Sequence, residues 1–267
     1  MTKFGLIAGN GAFPIEVAAA AKARGIAVIA VAHQDETSPE IAAFCECVNW
    51  IEVGQLEAAI RTLKEADVRV AAMAGGISRA RLRASFKPDA RALAMLARIG
   101  KFSDDAVLRG VAAELEADGI EVIDPVERFG LALAEAGLLA GPQVTAAVLE
   151  DIELGFAVAR ALGAFDVGQV VAVRDGVVAA VEAIEGTDAT LRHAASLAGP
   201  GLVVAKASKP GQDLRFDRPA IGPRTISLLH EIRAAVLAVE AQRTLIIEPA
   251  HTLKMARELE LSVYGYR

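Results

Sequence analysis

The sequence predicts an α/β protein: a doubly wound parallel sheet in the N-terminal half, followed by a smaller mixed α+β domain. Three observations predict it. Short apolar runs alternate with helix-period segments through residue 123, glycine punctuates the carboxyl ends of several runs, and the pattern changes to a hairpin signal after residue 160. At 267 residues the chain is long enough for two domains. We place them at 1–133 and 134–267, with the boundary in the 130–140 region.

Phe4–Ala8 is an apolar run, and Ala12–Arg24 has helical periodicity that Gly25 ends. Ile26–Ala32 is apolar at nearly every position, as expected of a strand covered on both faces. Helical Glu57–Glu65 leads to Val68–Ala74 and the Gly75-Gly76 pair. Helices follow over Ala90–Ile99 and Asp105–Asp118, then the strand Ile120–Ile123. Such βαβ alternation specifies a Rossmann-like domain. Gly141-Pro142 starts a long helical segment, Gln143–Leu162. Val167–Val173 and Val177–Ile184 flank Asp175-Gly176, which reads as a hairpin. Thr187 or Asp188 is the expected N-cap of a helix running to Ala198. A strand at Leu202–Ala205, a helix from Pro223 and a final strand–helix–strand complete the second domain, whose core helices are taken as Val144–Leu162 and Ile226–Val239.

Bulk properties narrow the function classes. Net charge is −6, which argues against a nucleic-acid partner. The composition is 54% hydrophobic, yet no apolar run reaches the eighteen residues of a spanning helix. The N-terminus lacks a signal-peptide pattern, so a cytoplasmic location is expected. Cys45 and Cys47 lack partners for a zinc site or a disulfide framework and are expected to begin a buried strand. The four histidines are dispersed.

Residues 203–225 hold the densest chemistry. Lys206, Lys209, Gln212, Asp213, Arg215, Asp217 and Arg218 gather there in an otherwise Ala/Val/Leu-rich chain. Pro210-Gly211 and Pro219 argue against a helix, so the cluster is expected to be extended, with Asp213, Arg215 and Asp217 on one face. Two carboxylates around a guanidinium suit a divalent cation beside phosphate oxygens. In a straight strand the two aspartates would stand roughly 13 Å apart at about 3.3 Å per residue. Either one of them binds metal while the other orients Arg215 or a water, or the strand is kinked; Asp217 is the first choice and Asp213 the second. Paired charges on a solvated hairpin explain the spacing as well.

Gly9-Asn10-Gly11, with Phe13-Pro14, sits where the first strand turns into a helix, a place that suits a phosphate or a nucleoside. Pro14 occupies the third glycine position of the dinucleotide fingerprint, and Asp35 and Glu36 follow the second strand only loosely. Gly75-Gly76-Ile77-Ser78-Arg79 occupies the same edge of the sheet. Ser103-Asp104-Asp105 opens a helix, and Glu182, Glu185 and Asp188 end the hairpin.

Taken together, Gly-x-x-Ala-Gly-Asn-Gly-x-Phe-Pro from Gly5, Gly75-Gly76-Ile77, Ser103-Asp104-Asp105, Glu182-x-x-Glu185-Gly186-Thr187-Asp188 and Lys206-x-x-Lys209-Pro210-x-Gln212-Asp213-x-Arg215-x-Asp217-x-Pro219-x-Ile221-Gly222-x-x-Thr225 resemble the UDP-2,3-diacylglucosamine pyrophosphatases of the LpxI type, across essentially the whole chain. The resemblance implies a Mg²⁺-dependent hydrolase of lipid A biosynthesis, with an N-terminal UDP-binding domain and a C-terminal domain that holds the lipid. Water would attack the α-phosphorus to give UMP and 2,3-diacylglucosamine 1-phosphate. On that reading Asp217 and Asp213 serve metal and water, Arg215 and Lys206 the phosphates, and Glu182 or Asp188 is a further metal ligand or base. Substrate contacts fall to Gly9, Asn10, Gly11, Phe13, Gly75, Gly76, Ile77, Asp105, Thr187, Asp188, Lys209, Gln212 and Thr225. The partner is a UDP-lipid, with transient contact to the inner-membrane surface, and a homodimer is left open. A nucleotide-dependent oxidoreductase and a non-catalytic nucleotide-sugar or lipid carrier are the rival readings.

Overall fold

The computed structural model describes residues 2–78, 86–100 and 103–267, the side chain of Asp104 excepted. The chain divides into two compact units, Met1–Leu131 with Asp213–Asp217, and Ala132–Gln212 with Arg218–Arg267. The short run 213–217, which lies inside the second domain expected from sequence, thus clusters with the first unit.

Unit 1 is built on a parallel sheet of β1 (Lys3–Ala8), β2 (Ala27–His33), β3 (Cys47–Ile51), β4 (Val70–Ala74) and β5 (Glu121–Val122), in the order β3-β2-β1-β4-β5. Its described helices are α1 (Phe13–Ala23), α2 (Leu56–Glu65), α3 (Ala90–Ile99), α4 (Asp104–Ala117) and α5 (Pro125–Phe129). Period-two alternation splits the strand residues between two cores. Leu6, Ala8, Val28, Ala30 and Ala72 pack with Val17, Ala18 and Ala21 of α1, while Ile29, Val31, Ala71 and Met73 pack with Ile60 and Leu63 of α2 and Leu115 of α4. Both faces are covered, which explains the continuous apolar character of β2. Strand β3 lies at the edge and is mostly half-buried or exposed. Cys47 does begin it but is exposed, and Cys45 precedes it, so neither cysteine starts a buried strand.

The strand order reverses between β1 and β4, because β2 and β4 flank β1 on opposite sides. Open α/β sheets take ligands at the carboxyl ends of strands at such a point.

Unit 2 carries a six-stranded mixed sheet of β6 (Gly137–Ala140), β7 (Val170–Arg174), β8 (Val177–Val181), β9 (Val203–Lys206), β11 (Val236–Glu240) and β13 (Ser262–Tyr266), ordered β6-β13-β11-β9-β7-β8. The central β13, β11 and β9 are parallel and the outer pairings antiparallel. A separate parallel pair joins β10 (Ala220–Ile221) and β12 (Leu245–Ile246). One face is covered by α6 (Ala146–Gly163) through Ile152, Phe156 and Ala159. The other is covered by α7 (Thr187–Ala198), α8 (Pro223–Glu231) and α9 (Pro249–Glu258), through residues such as Leu191, Ile226, Leu229 and Ala256.

Three helix expectations are corrected. The helix expected over Ile226–Val239 ends at Glu231. Arg233 takes a left-handed φ of 54°, and Val236–Glu240 becomes a sheet strand buried at four of its five positions. Helix α6 starts at Ala146 rather than Gln143, because Thr145 caps it by accepting from Val148 N–H. Helix α7 is capped by Gly186 without a side-chain bond, so Thr187 and Asp188 lie inside it rather than at the cap.

Candidate functional site

At the switch point of unit 1, the loops after β1 and β4 are locked to each other. Gly9 N–H donates to Ala74 O at 2.8 Å and Asn10 N–H to Gly76 O at 2.7 Å. A Cβ on Gly9 would stand 2.3 Å from Gly76 O, and one on Gly75, whose φ is +80°, would stand 2.3 Å from Asn10 O. The approach of one loop to the other is by itself enough to demand these two glycines. Gly11 and Gly76 remain as open positions: a Cβ on Gly11 would meet nothing within 4 Å, and one on Gly76 only Asn10 Oδ1 at 3.6 Å. Phe13 is partly buried against the core, and Ile77 is half-buried. Arg79 lies outside the described residues.

Glu36, which the sequence placed only loosely, ties the two loops together. Its carboxylate accepts from Asn10 Nδ2 at 2.7 Å, Ser78 N–H at 3.1 Å and Ser78 Oγ at 2.7 Å. Beneath the loop, Ala8 O accepts from Thr37 Oγ1 at 2.6 Å and lies 3.0 Å from His33 Nδ1. Burial pushes the His33 imidazole below its ordinary pKa, against the raising effects of the Ala8 hydrogen bond and of Glu36.

Residues 213–217 form a turn rather than an extended strand. Asp217 N–H donates to Asp213 O at 3.0 Å, and Asp213 Oδ1 accepts from Arg215 N–H at 3.1 Å. An aspartate that bonds the backbone two residues on mimics a turn, and that local chemistry overrides the period-two reading. The turn is held within unit 1. Phe216 is buried in the core beside α2, α3 and α4. Arg215 donates to Asp213 through Nε at 3.0 Å and Nη2 at 2.8 Å, and onward to Glu116 Oε1 at 2.8 Å and Val122 O at 3.3 Å. Arg109 bonds Asp105 at 2.7 Å and reaches Asp213 at 3.4 Å. Hydrogen bonding from Arg215 holds the Asp213 carboxyl below the ordinary carboxylate range, and that same bond raises Arg215.

An open cleft of about 590 Å³ adjoins this turn, lined among others by Glu116, Glu121, Asp124, Glu127, Arg128 and Arg215.

In unit 2 the expected residues make separate local contacts, with Lys206 at the end of β9 and Lys209 and Gln212 in the loop that follows. Lys206 Nζ donates to Ala220 O at 2.7 Å. Gln212 Oε1 accepts from Lys209 N–H at 2.9 Å, and Lys209 Nζ pairs with Asp166. Glu182 accepts from Thr187 Oγ1 at 2.7 Å and Gln169 N–H at 3.2 Å. Asp188 is exposed, and Thr225 Oγ1 accepts from Gly222 N–H at the start of α8. Sequence reasoning missed Glu240, which accepts from Ser208 N–H at 2.8 Å and Arg160 at 3.3 Å, and Ser208 itself, whose buried Oγ has no partner among the described residues. Glu240 is the last residue of β11 and Ser208 stands two residues past β9, and only topology brings such neighbouring strand ends together.

A metal imposes a further test on these carboxylates. Among the described residues no group of three or more His, Cys, Asp or Glu side chains is placed to hold an ion. Both oxygens of Asp213 are engaged by Arg215, so Asp213 does not fit as a metal ligand in this arrangement.

Residues 3–129 match the family model described as the LpxI N-terminal domain, and residues 135–264 match the LpxI C-terminal domain. The chain belongs to the LpxI family. A relative from Caulobacter vibrioides, named UDP-2,3-diacylglucosamine pyrophosphatase LpxI, is 34% identical over 276 residues, covering 99% of this chain and 98% of that protein. Among solved structures, the biotin carboxylase domain of Hydrogenobacter thermophilus 2-oxoglutarate carboxylase aligns at 15% identity and a TM-score of 0.30, over 76% of this chain and 44% of that one. The biotin carboxylase subunit of pyruvate carboxylase aligns at 16% and 0.28, over 64% and 35%. This LpxI-family chain thus spans less than half of either carboxylase chain, and nothing is inferred from likeness at that level. Among the described residues no helix is long and apolar enough to cross a membrane.

Proposed function

We propose that this chain hydrolyses UDP-2,3-diacylglucosamine to UMP and 2,3-diacylglucosamine 1-phosphate, in lipid A biosynthesis, by attack of water on the α-phosphorus. The observation that carries the proposal is end-to-end similarity, at 34% identity, to a relative that bears that enzyme's name. The geometry gives it support. The strand order of unit 1 reverses between β1 and β4, the kind of place where open α/β sheets take ligands, and the 203–225 segment supplies cations and aspartates in a chain of 54% hydrophobic composition.

Cleaving a diphosphate ester requires that its charge be neutralised and a water be oriented. Arg215, held rigidly by Asp213 and Glu116, and Lys206 are proposed for the phosphate oxygens; Lys209 and Gln212 help to bind the substrate. Asp217 is proposed to orient or deprotonate the attacking water. Asp213 positions Arg215. Glu182, oriented by Thr187, is the second candidate for the base. Magnesium is usually held by one or two carboxylates together with substrate phosphates, and Asp217 fits that pattern as the protein ligand. When bound, the ion would supply charge neutralisation on the diphosphate. The substrate's acyl chains lie in the bilayer, which favours transient contact with the inner-membrane surface.

The test is incubation of the purified chain with the UDP-lipid in oxygen-18 water, with Mg²⁺ and with EDTA. Label in UMP and loss of turnover in EDTA are expected. Label in the sugar phosphate would overturn attack at the α-phosphorus, and recovery of intact substrate with Mg²⁺ present would favour the carrier reading.

A further inference from the structure

We propose that Glu240 is a positioning residue for the reaction: by holding the backbone of the loop after β9, it sets where Lys206 and Lys209 stand. The inference rests on the reading above that these two lysines bind the substrate, Lys206 at its phosphate oxygens, and deepens it.

Strand β11 alternates its side chains between the two faces of the sheet. Val236 and Ala238 pack with Ile152, Phe156 and Ala159 of α6, so Glu240, two residues on, is turned to the same helix. Arg160 stands one helical turn beyond Phe156 and meets it there, Nη2 to Oε1 at 3.3 Å. The arginine is itself seated on two stacked rings. Its guanidinium carbon lies 5.3 Å from the Phe156 centroid and 5.8 Å from that of Tyr266. The other carboxylate oxygen, Oε2, accepts from Ser208 N–H at 2.8 Å. The Glu240 side chain is only 12% exposed. Both of its oxygens are engaged, which suits a fixed support rather than a base or a metal ligand.

The register explains why a side chain is needed at this place. Backbone pairing between β9 and β11 ends at Val239 and Lys206. Past that pair the ladder stops, and Glu240 supplies the acceptor that Ser208 N–H requires. The neighbouring N–H groups are taken as well, Ala207 by Gln169 O at 3.0 Å and Lys209 by Gln212 Oε1 at 2.9 Å. Each ammonium group is tethered at its tip, Lys206 Nζ by Ala220 O at 2.7 Å and Lys209 Nζ by Asp166 at 2.5 Å. Glu240 fixes the backbone between them. A lone carboxylate beside two phosphate-binding cations would repel an anionic substrate, and Arg160 offsets that charge.

The experiment measures steady-state hydrolysis of the UDP-lipid with Mg²⁺ and calorimetric binding of inorganic pyrophosphate. It is run on the full chain, Glu240→Ala and Glu240→Gln, with the thermal midpoint of each recorded. Contacts made alike to bound substrate and transition state show in KM and not in kcat. Glu240→Ala is expected to raise KM and weaken pyrophosphate about tenfold, with kcat within about threefold of the parent. Glu240→Gln keeps an oxygen that can accept from Ser208 N–H, so it should recover both to within about threefold. If Glu240→Ala does not fold, Glu240→Met, which keeps the length and removes the acceptor, takes its place. Glu240→Gln as impaired as Glu240→Ala would show that the charge itself acts, and would overturn the inference. A lowered thermal midpoint with KM and pyrophosphate affinity unchanged would reduce Glu240 to a structural part and overturn it too. So would a loss in kcat equal to that in kcat/KM. Turnover by the parent chain is scored separately. Weakened pyrophosphate binding in Glu240→Ala, with no turnover of the UDP-lipid by the parent, overturns the proposed reaction alone. Turnover with Glu240→Ala unaffected overturns this inference alone.

Discussion

Asp213 grips Arg215 through two nitrogens of the same guanidinium, Nε at 3.0 Å and Nη2 at 2.8 Å, with the Arg215 backbone N–H as a third donor. The carboxyl titrates below its ordinary range for that reason. The folded state then takes up the proton less readily than the unfolded chain, whose value lies near 3.9. Stability from this contact is complete above the unfolded value and is lost as pH falls through the lower folded one. Hydrogen exchange of residues 213–217 should speed up below about pH 4. In Asp213→Asn the acid step should vanish, with fast exchange already at pH 7. Protection that is independent of pH and of the substitution would show that Phe216 alone holds the turn.

The two aspartates should separate by kinetics. Asp217, proposed to handle the water, should on replacement by Ala lower kcat by about a thousandfold or more while the substrate still binds. Asp213 acts through Arg215, so Asp213→Ala should lower kcat by only about ten- to a hundredfold. Steady-state rates together with equilibrium binding of the UDP-lipid decide it. Equal losses for the two variants would remove the distinction, and a near-normal rate for Asp217→Ala would end its assignment.

Much of unit 1 was legible because buried parallel strands are near-continuous apolar runs and glycines mark their ends. Phe4–Ala8, Ile26–Ala32 and the 90–99 helix each fall within a few residues of the observed element. The hairpin was legible from Asp175-Gly176, which now joins β7 to β8. What failed was local side-chain chemistry. Nothing in a period-two pattern says that Asp213 will bond its own neighbour's backbone, which turned an expected strand into a turn. Glu36 was passed over because it stands three residues beyond β2, and only the meeting of two loops distant in sequence gives its carboxylate three donors. Gly9 and Gly75 are expected from sequence as ligand contacts, and sequence alone cannot distinguish a glycine that admits a ligand from one that admits another stretch of backbone.

That last distinction has a measurable consequence. Gly9→Ala and Gly75→Ala would each put a Cβ 2.3 Å from a backbone oxygen, so the loops must part. Each should cost roughly 2–4 kcal/mol, through backbone strain and broken loop hydrogen bonds. Gly11→Ala meets no neighbour and should cost only about 1 kcal/mol, from the left-handed backbone at φ +84°. Urea denaturation of the three variants tests the order. Gly11→Ala proving the most damaging would show that the loop–loop contact is not what these glycines serve.

His33 supplies a pH-dependent support under the same loop. Its Nδ1 lies 3.0 Å from Ala8 O, and its backbone N–H donates to Thr37 Oγ1, which donates in turn to Ala8 O. Burial lowers the imidazole pKa, so the folded chain holds the ring neutral where the unfolded chain would already protonate it. The contribution is full above about 6.5, the unfolded value, and declines as pH drops below it toward the folded value. Unfolding free energy should therefore fall as pH drops below about 6.5, and His33→Gln, whose amide can still donate to Ala8 O, should flatten that slope. Proton NMR of the ring gives the direct check, since a His33 that titrates at or above 6.5 in the folded chain would reverse the sign of the effect.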